Sequence, residues 1–140
     1  MSLVTQIRNN QLAIISLLVA LAALGYNTWR NELTEHNRNI RNAGFEMLLH
    51  VAALQRITYL AHYDRETDAG NPRKGWTEVL VLQDLARLMS PNARVRTTEL
   101  AQTWQGNEEN LGENEAAVQA IDSATDSLRA DILAELAARD

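Results

Sequence analysis

The sequence predicts an all-α protein: a single N-terminal transmembrane helix followed by a small antiparallel helical bundle. Three observations lead to this prediction. Leu12–Gly25 is an apolar run without a charged residue, later apolar residues recur at helical spacing, and no stretch of useful length alternates like a strand. The first proline is Pro72, so nothing before it forces a helix to stop.

The first predicted element is a membrane anchor in residues 1–30. Leu12–Trp29 supplies eighteen residues, about 27 Å of helix, close to the roughly 20 residues that a span needs. Tyr26, Trp29 and Arg30 follow the apolar run, as aromatic and basic interface anchors do. Two other interpretations stay open. One is a cleaved signal peptide with a poor small-residue site at 23–25, and the other is a buried helix of a soluble core.

The anchor also carries a stripe of small and polar residues. Ser16, Ala20, Ala23 and Asn27 are spaced four, three and four apart, so they share one helical face. Small residues let transmembrane backbones approach closely, and a polar one can bond across the interface. We interpret this stripe as a packing seam towards another membrane helix, although alanine is also common in such helices.

Basic residues beside the anchor predict its orientation. Arg8 precedes the apolar run, whereas Arg30, Arg38 and Arg41 follow it. This excess favours a cytoplasmic C-terminal domain by the positive-inside rule. Twelve arginines against one lysine fit a GC-rich bacterial genome, so we expect a single-pass protein of the bacterial inner membrane.

Residues 31–140 are predicted to form a soluble helical bundle. Leu33, Ile40, Met47 and Leu54 recur every seven residues and form a helix seam typical of coiled coils and bundles. A loop rich in Asp, Gly and Pro covers 64–75, and Ser90-Pro91 begins the third helix of this domain. The second helix is apolar on most faces, which predicts a central position. The expected helices are 31–63, 76–89, 91–105 and 113–138.

Charge is unevenly distributed along the chain. The formal net charge is −5, with +2 in residues 1–63 and −7 in residues 64–140. Binding to phosphates needs a basic face, so the acidic half argues against nucleic acid as a partner.

Candidate chemistry is sparse. There is no cysteine, which excludes disulfides and thiolate sites, and none of the common catalytic motifs occurs. Asp64, Glu66 and Asp68 have the spacing of an EF-hand start, but Ala69 and Gly75 occupy positions that need Gly and Glu. A solvated acidic loop is therefore expected, with weak divalent binding as the alternative. No catalytic, cofactor or metal site is predicted.

Histidines and aromatic residues offer two further candidates. His36 and His50 lie fourteen residues apart, about 21 Å along one helix, so they cannot share an ion within one chain. His50 is expected to be a half-buried core histidine. Aromatic side chains could line a ligand pocket or simply fill the core; these are Tyr59, Tyr63, Trp76 and Trp104.

These features predict a non-catalytic accessory or scaffolding subunit rather than an enzyme. Its expected partners are membrane lipid and either other membrane-protein subunits or copies of itself. The alternative is a membrane-anchored sensor or signalling module, in which a helical bundle relays a shift to the membrane.

Overall fold

The computed structural model describes residues 10–139, and within that range it is all-helical with no strand. The prediction of an all-α chain is confirmed. The four α-helices are α1 (Gln11–His62), α2 (Pro72–Ala86), α3 (Pro91–Asn107) and α4 (Glu115–Ala137), and a 3-10 turn covers Glu108–Asn110. Arg8, on which the predicted orientation depends, lies outside the described residues.

The chain divides into two compact units, Met1–Arg38 and Asn39–Asp140. The described part of the first unit is helical from Gln11 onward, and every residue in it is exposed. The second unit holds the hydrophobic core, which begins at Ile40. The predicted division after residue 30 stays a prediction.

Asparagine and serine side chains begin the three shorter helices. The side chain of Asn71 accepts a hydrogen bond from the backbone N–H of Arg73, and Pro72 occupies the first turn of α2. The helix therefore starts four residues before the predicted position 76, because an Asn-Pro pair assigned to the loop is a helix cap. Ser90 and Asn114 cap α3 and α4 in the same way.

Contacts within the second unit define an antiparallel bundle. The C-terminal part of α1 runs against α4, since Leu136 packs on Gly44 while the Tyr59 hydroxyl donates to Asp122. Two further antiparallel pairs follow: Gly75 lies against Trp104 between α2 and α3, and Arg96 pairs with Asp131 between α3 and α4. Short connections between successive helices give this up-and-down arrangement.

The core is closed by apolar side chains from all four helices. Its largest fully buried members are Met47, Val51, Leu54, Val79, Leu82, Leu100, Trp104, Leu111, Val118, Ile121, Leu128 and Ile132. The expectation that the second helix is central is wrong. Leu80 in α2 and Leu88 just after it are 55% exposed, so this helix is not surrounded by its neighbours. The apolar run of α2 therefore has a buried face and an uncovered one.

Candidate functional site

The apolar part of α1 forms an uncovered hydrophobic surface. Its large side chains between Leu12 and Leu24 are 39–81% exposed, and every residue of the segment is exposed. By length and composition this helix is able to cross a membrane, and none of its apolar window is buried within the chain. The core helix of a soluble protein and an N-terminal signal sequence pass the same test of length and composition.

The predicted packing seam lies on one face of this segment. Ser16, Ala20, Ala23 and Asn27 are all helical and exposed. The Ser16 hydroxyl donates to the carbonyl of Leu12 at 2.8 Å, so its hydrogen is satisfied within the helix. Thr28, one residue beyond the seam, does the same to the carbonyl of Leu24. Such bonds remove the cost of placing a hydroxyl in hydrocarbon.

The predicted interface anchors lie together on the same helix. Tyr26 and Trp29 are exposed, with ring centroids 6.1 Å apart and tilted by 51°. Arg30 follows directly and is also exposed. An aromatic pair beside a cation suits the headgroup depth of a bilayer, where amphipathic rings and long basic side chains concentrate.

The predicted helix seam is used only in part for the core. Ile40, Met47 and Leu54 are buried in the bundle, whereas Leu33 is 46% exposed and is not part of the core. The seven-residue spacing therefore extends further along α1 than the burial does.

A polar cluster joins α1 and α4 on the surface of the bundle. The Tyr59 hydroxyl donates to Oδ2 of Asp122 at 3.2 Å, and Gln55 contacts both Asp126 and Arg129. Oδ1 of Asp122 is buried with no hydrogen-bond partner. Burial is the main reason why the pKa of Asp122 is raised, and it also raises the pKa of Tyr59, with Asp122 the next cause. These hydrogen bonds join α1 to α4.

The histidines of the second unit each have a structural partner. His50 is half-buried, as predicted, and its Nδ1 lies 2.6 Å from Glu78 of α2. His62 donates from Nδ1 to the carbonyl of Leu111 at 2.7 Å, since a carbonyl can only accept. Both contacts join elements distant in sequence, which sequence spacing alone could not indicate.

A cleft of about 730 Å³ lies at the end of the bundle where α1 stops. Its lining includes His62, Arg65, Glu66, Glu108 and Glu113. The aromatic residues that were candidates for a pocket do not line it. Trp104 is fully buried in the core, and the Trp76 indole N–H donates to Glu108 at 2.8 Å.

The acidic loop after α1 is not arranged as a metal site. Asp68 pairs with Lys74 at 3.0 Å, and Arg65 adopts a φ of 51° in the left-handed region. Within residues 10–139, no group of three or more His, Cys, Asp or Glu is placed to hold a metal ion. The loop therefore gives no geometric support to the alternative of divalent binding.

Comparisons with known proteins give no relative on which to base a function. No family model, no curated protein and no solved structure matches this chain. What the chain does must be inferred from its own residues.

Proposed function

We propose that this chain is a non-catalytic, single-pass membrane protein that acts as an accessory or scaffolding subunit of a larger or homo-oligomeric assembly. The observation that carries this proposal is the apolar part of α1, whose side chains are exposed on every side. Covering one large aliphatic side chain is worth roughly 1.5–3 kcal/mol. A surface with this many uncovered leucines needs lipid or protein around it.

Two features of α1 favour a retained anchor over a removable signal sequence. The helix continues without a break through Ala23 and Gly25, where a cleavage site would fall. The same helix then contributes Met47 and Leu54 to the core of the second unit. The proposed location is the bacterial inner membrane with a cytoplasmic C-terminal domain, supported by Arg30, Arg38 and Arg41 after the span.

The second unit supports the role of a binding module. Its conspicuous polar groups pair neighbouring helices, as His50 does with Glu78 and Arg96 with Asp131. They are thereby used to hold the bundle together. The proposed partners are lipid around the span and either other membrane subunits or copies of this chain along Ser16, Ala20, Ala23 and Asn27.

Extraction and labelling test the membrane part of the proposal. Full-length protein in native membranes is expected to resist sodium carbonate extraction, whereas a Leu17→Arg/Leu21→Arg variant is expected to be released. Leu80→Arg, at a comparably exposed leucine of α2, is the matched control and should remain in the membrane. A wild-type chain released by carbonate would contradict the anchor.

Topology and partners are read in the same membranes. The chain has no cysteine, so a single Thr98→Cys on α3 reports the side of the bundle through a membrane-impermeant maleimide. Labelling only after the cells are opened is expected.

Pull-down in mild detergent should recover a discrete assembly. Replacing Ser16, Ala20, Ala23 and Asn27 by leucine is expected to abolish this assembly, and unchanged assembly would argue against the packing seam.

The cleft beside His62 favours one second candidate, a membrane-anchored sensor or signalling module. A cleft of about 730 Å³ could hold a small ligand. This candidate predicts a periplasmic C-terminal domain and a ligand-dependent change in the bundle. Labelling of Thr98→Cys in intact spheroplasts would favour it over the accessory subunit.

A further inference from the structure

The outward surface of α1 in the second unit carries a second heptad stripe. We define the outer stripe as Asn42, Phe45, Leu49, Ala52 and Arg56, which are spaced three, four, three and four apart. All five are exposed, and Phe45 and Leu49 keep 54% and 65% of their surface. This spacing places them along one line on a helix, as the a and d positions of a coiled coil are.

The outer stripe lies opposite the core-facing side of the same helix. Successive residues turn by about 100° around a helix, so Leu49 points away from Met47, Val51 and Leu54. Those three are completely buried within the bundle. From Ile40 to Leu54 the helix seam is therefore already occupied inside the chain, whereas the outer stripe is exposed.

Charges beside the outer stripe show what kind of partner fits. With Asn42 and Leu49 at a positions, Arg41 is at g and Glu46 at e, and both are exposed. In a parallel pair of helices, a g residue lies beside the e residue five positions further along the partner, which here joins Arg41 to the partner copy's own Glu46. An antiparallel pair sets g against g and e against e, which brings no opposite charges together here.

Asn42 and Arg56 lie at the two ends of the apolar part of the outer stripe. A single Asn at an a position specifies a parallel, in-register pair at some cost in stability. Arg56 would meet the same arginine of a second copy, so close packing ends before it. The contact consists of Phe45, Leu49 and Ala52, preceded by the Asn42 layer.

We propose that the outer stripe binds a second copy of this chain, parallel and in register. The inference rests on the proposed function, because anchoring both chains in one membrane keeps them parallel and raises their effective concentration. Three apolar layers form a small contact, and tethering of this kind strengthens weak contacts without adding new ones. In this proposal the buried residues of the helix seam stabilise the fold, and the outer stripe on the opposite side of α1 binds the second copy.

Cysteine cross-linking in native membranes tests the inference directly. Full-length Leu49→Cys and Ala52→Cys variants are oxidised with copper phenanthroline, because equivalent residues at a and d positions meet each other in a parallel, in-register pair. Leu88→Cys and Val95→Cys are the controls, matched at 55% and 54% exposure but remote from the stripe in the sequence. We expect at least a five-fold excess of disulfide-linked dimer over the controls. Equal yields, or a cross-link to a different protein, would overturn the inference.

A charge exchange tests the orientation. Arg41→Glu is expected to lower the dimer yield of Ala52→Cys several-fold, and adding Glu46→Arg is expected to restore it. Both positions are exposed, so circular dichroism should show the same helix content in each variant. A double variant that stays as low as the single one would overturn parallel pairing.

Carbonate extraction of the same samples separates this inference from the membrane proposal. Resistance to extraction without cross-linking at Leu49 or Ala52 would support the membrane anchor and contradict dimerisation through the outer stripe. Cross-linking at these positions in a chain that carbonate releases would support the dimer and contradict the anchor.

Discussion

Gly75 shows how one residue can decide the packing of two helices. An added Cβ at this position would lie 2.0 Å from Cζ2 of the fully buried Trp104 indole. The indole therefore packs directly on the backbone of α2. The Asp, Gly and Pro content of residues 64–75 predicts a loop there, and nothing local in the sequence indicates a ring above Gly75.

Gly75→Ala is expected to lower the free energy of unfolding by about 1–3 kcal/mol, since the Trp104 ring must shift to admit a methyl group. Gly106→Ala in α3 is the matched control, because nothing lies within 4 Å of its added Cβ. That variant should be neutral or up to about 1 kcal/mol more stable. Urea unfolding in detergent measures both, and equal effects would contradict the role of Trp104.

Asp122 makes stability depend on pH. Its pKa is raised in the folded chain mainly by burial, so the folded state holds the proton more tightly than the unfolded state. Stability is therefore fully present below the ordinary value of 3.8 and falls as the pH rises through the raised pKa.

Asp122→Asn is consequently expected to be more stable than the native chain at pH 7, because it removes a poorly solvated charge and keeps an acceptor for Tyr59. The difference should shrink towards pH 3. Thermal unfolding across this range checks the prediction. Asp84→Asn, whose side chain is 75% exposed, is the control at a solvated carboxylate. A lower melting temperature for Asp122→Asn at pH 7 would contradict the argument.

Among the helices, α2 shows that an apolar residue is not necessarily a buried one. Val79 and Leu82 are completely buried, whereas Leu80 is exposed, although the three belong to one apolar run. A run that is apolar on most sides does not reveal which side a neighbour covers.

Leu82→Ala is expected to cost about 2–5 kcal/mol of stability, because it leaves a cavity in the core. Leu80→Ala removes the same atoms from the surface and should change stability by about 0.5 kcal/mol or less. Denaturant midpoints of the two variants provide the comparison. Similar losses would mean that Leu80 is covered by a partner.

The start of α4 depends on its cap. The side chain of Asn114 accepts from the backbone N–H of Ala116 at 3.0 Å, so the helix begins two residues after the predicted position 113. Asn114→Ala is expected to cost about 0.5–2 kcal/mol, while Asn114→Gly should cost only about a few tenths. Thermal unfolding distinguishes them, and equal losses would point to a side-chain role other than capping.

At the scale of the whole molecule, the hydrophobic core belongs to one of the two units. Every core residue lies between Ile40 and Leu136. The described part of the first unit contributes none, since all of its residues are exposed.

A fragment covering residues 39–140 is therefore expected to fold without the apolar segment. Asn39 is a favourable residue at a helix start, and the fragment retains all of the core residues. It should show strong helical circular dichroism and one cooperative thermal transition in detergent-free buffer. A fragment that aggregates or unfolds without a transition would show that the core needs the first unit or a membrane.

The apolar segment, the helices and the Ser90-Pro91 junction follow from composition, periodicity and capping, which are local properties of the sequence. The candidate surfaces could be predicted from the sequence only in part. The spacing of Ile40, Met47 and Leu54 indicates a seam but not whether another part of the chain or a second chain covers it. The spacing of Phe45, Leu49 and Ala52 is equally regular, and only burial distinguishes the two.

The amino-acid sequence alone predicts that the chain is helical, that one segment is apolar enough to cross a membrane, and that a loop follows the first long helix. Only the tertiary structure shows that α2 leaves Leu80 exposed, that Leu33 is not in the core, and that Gly75 lies under Trp104. The physical reason is that helix formation and hydrophobicity depend on nearby residues, whereas burial depends on which distant helix packs against each face.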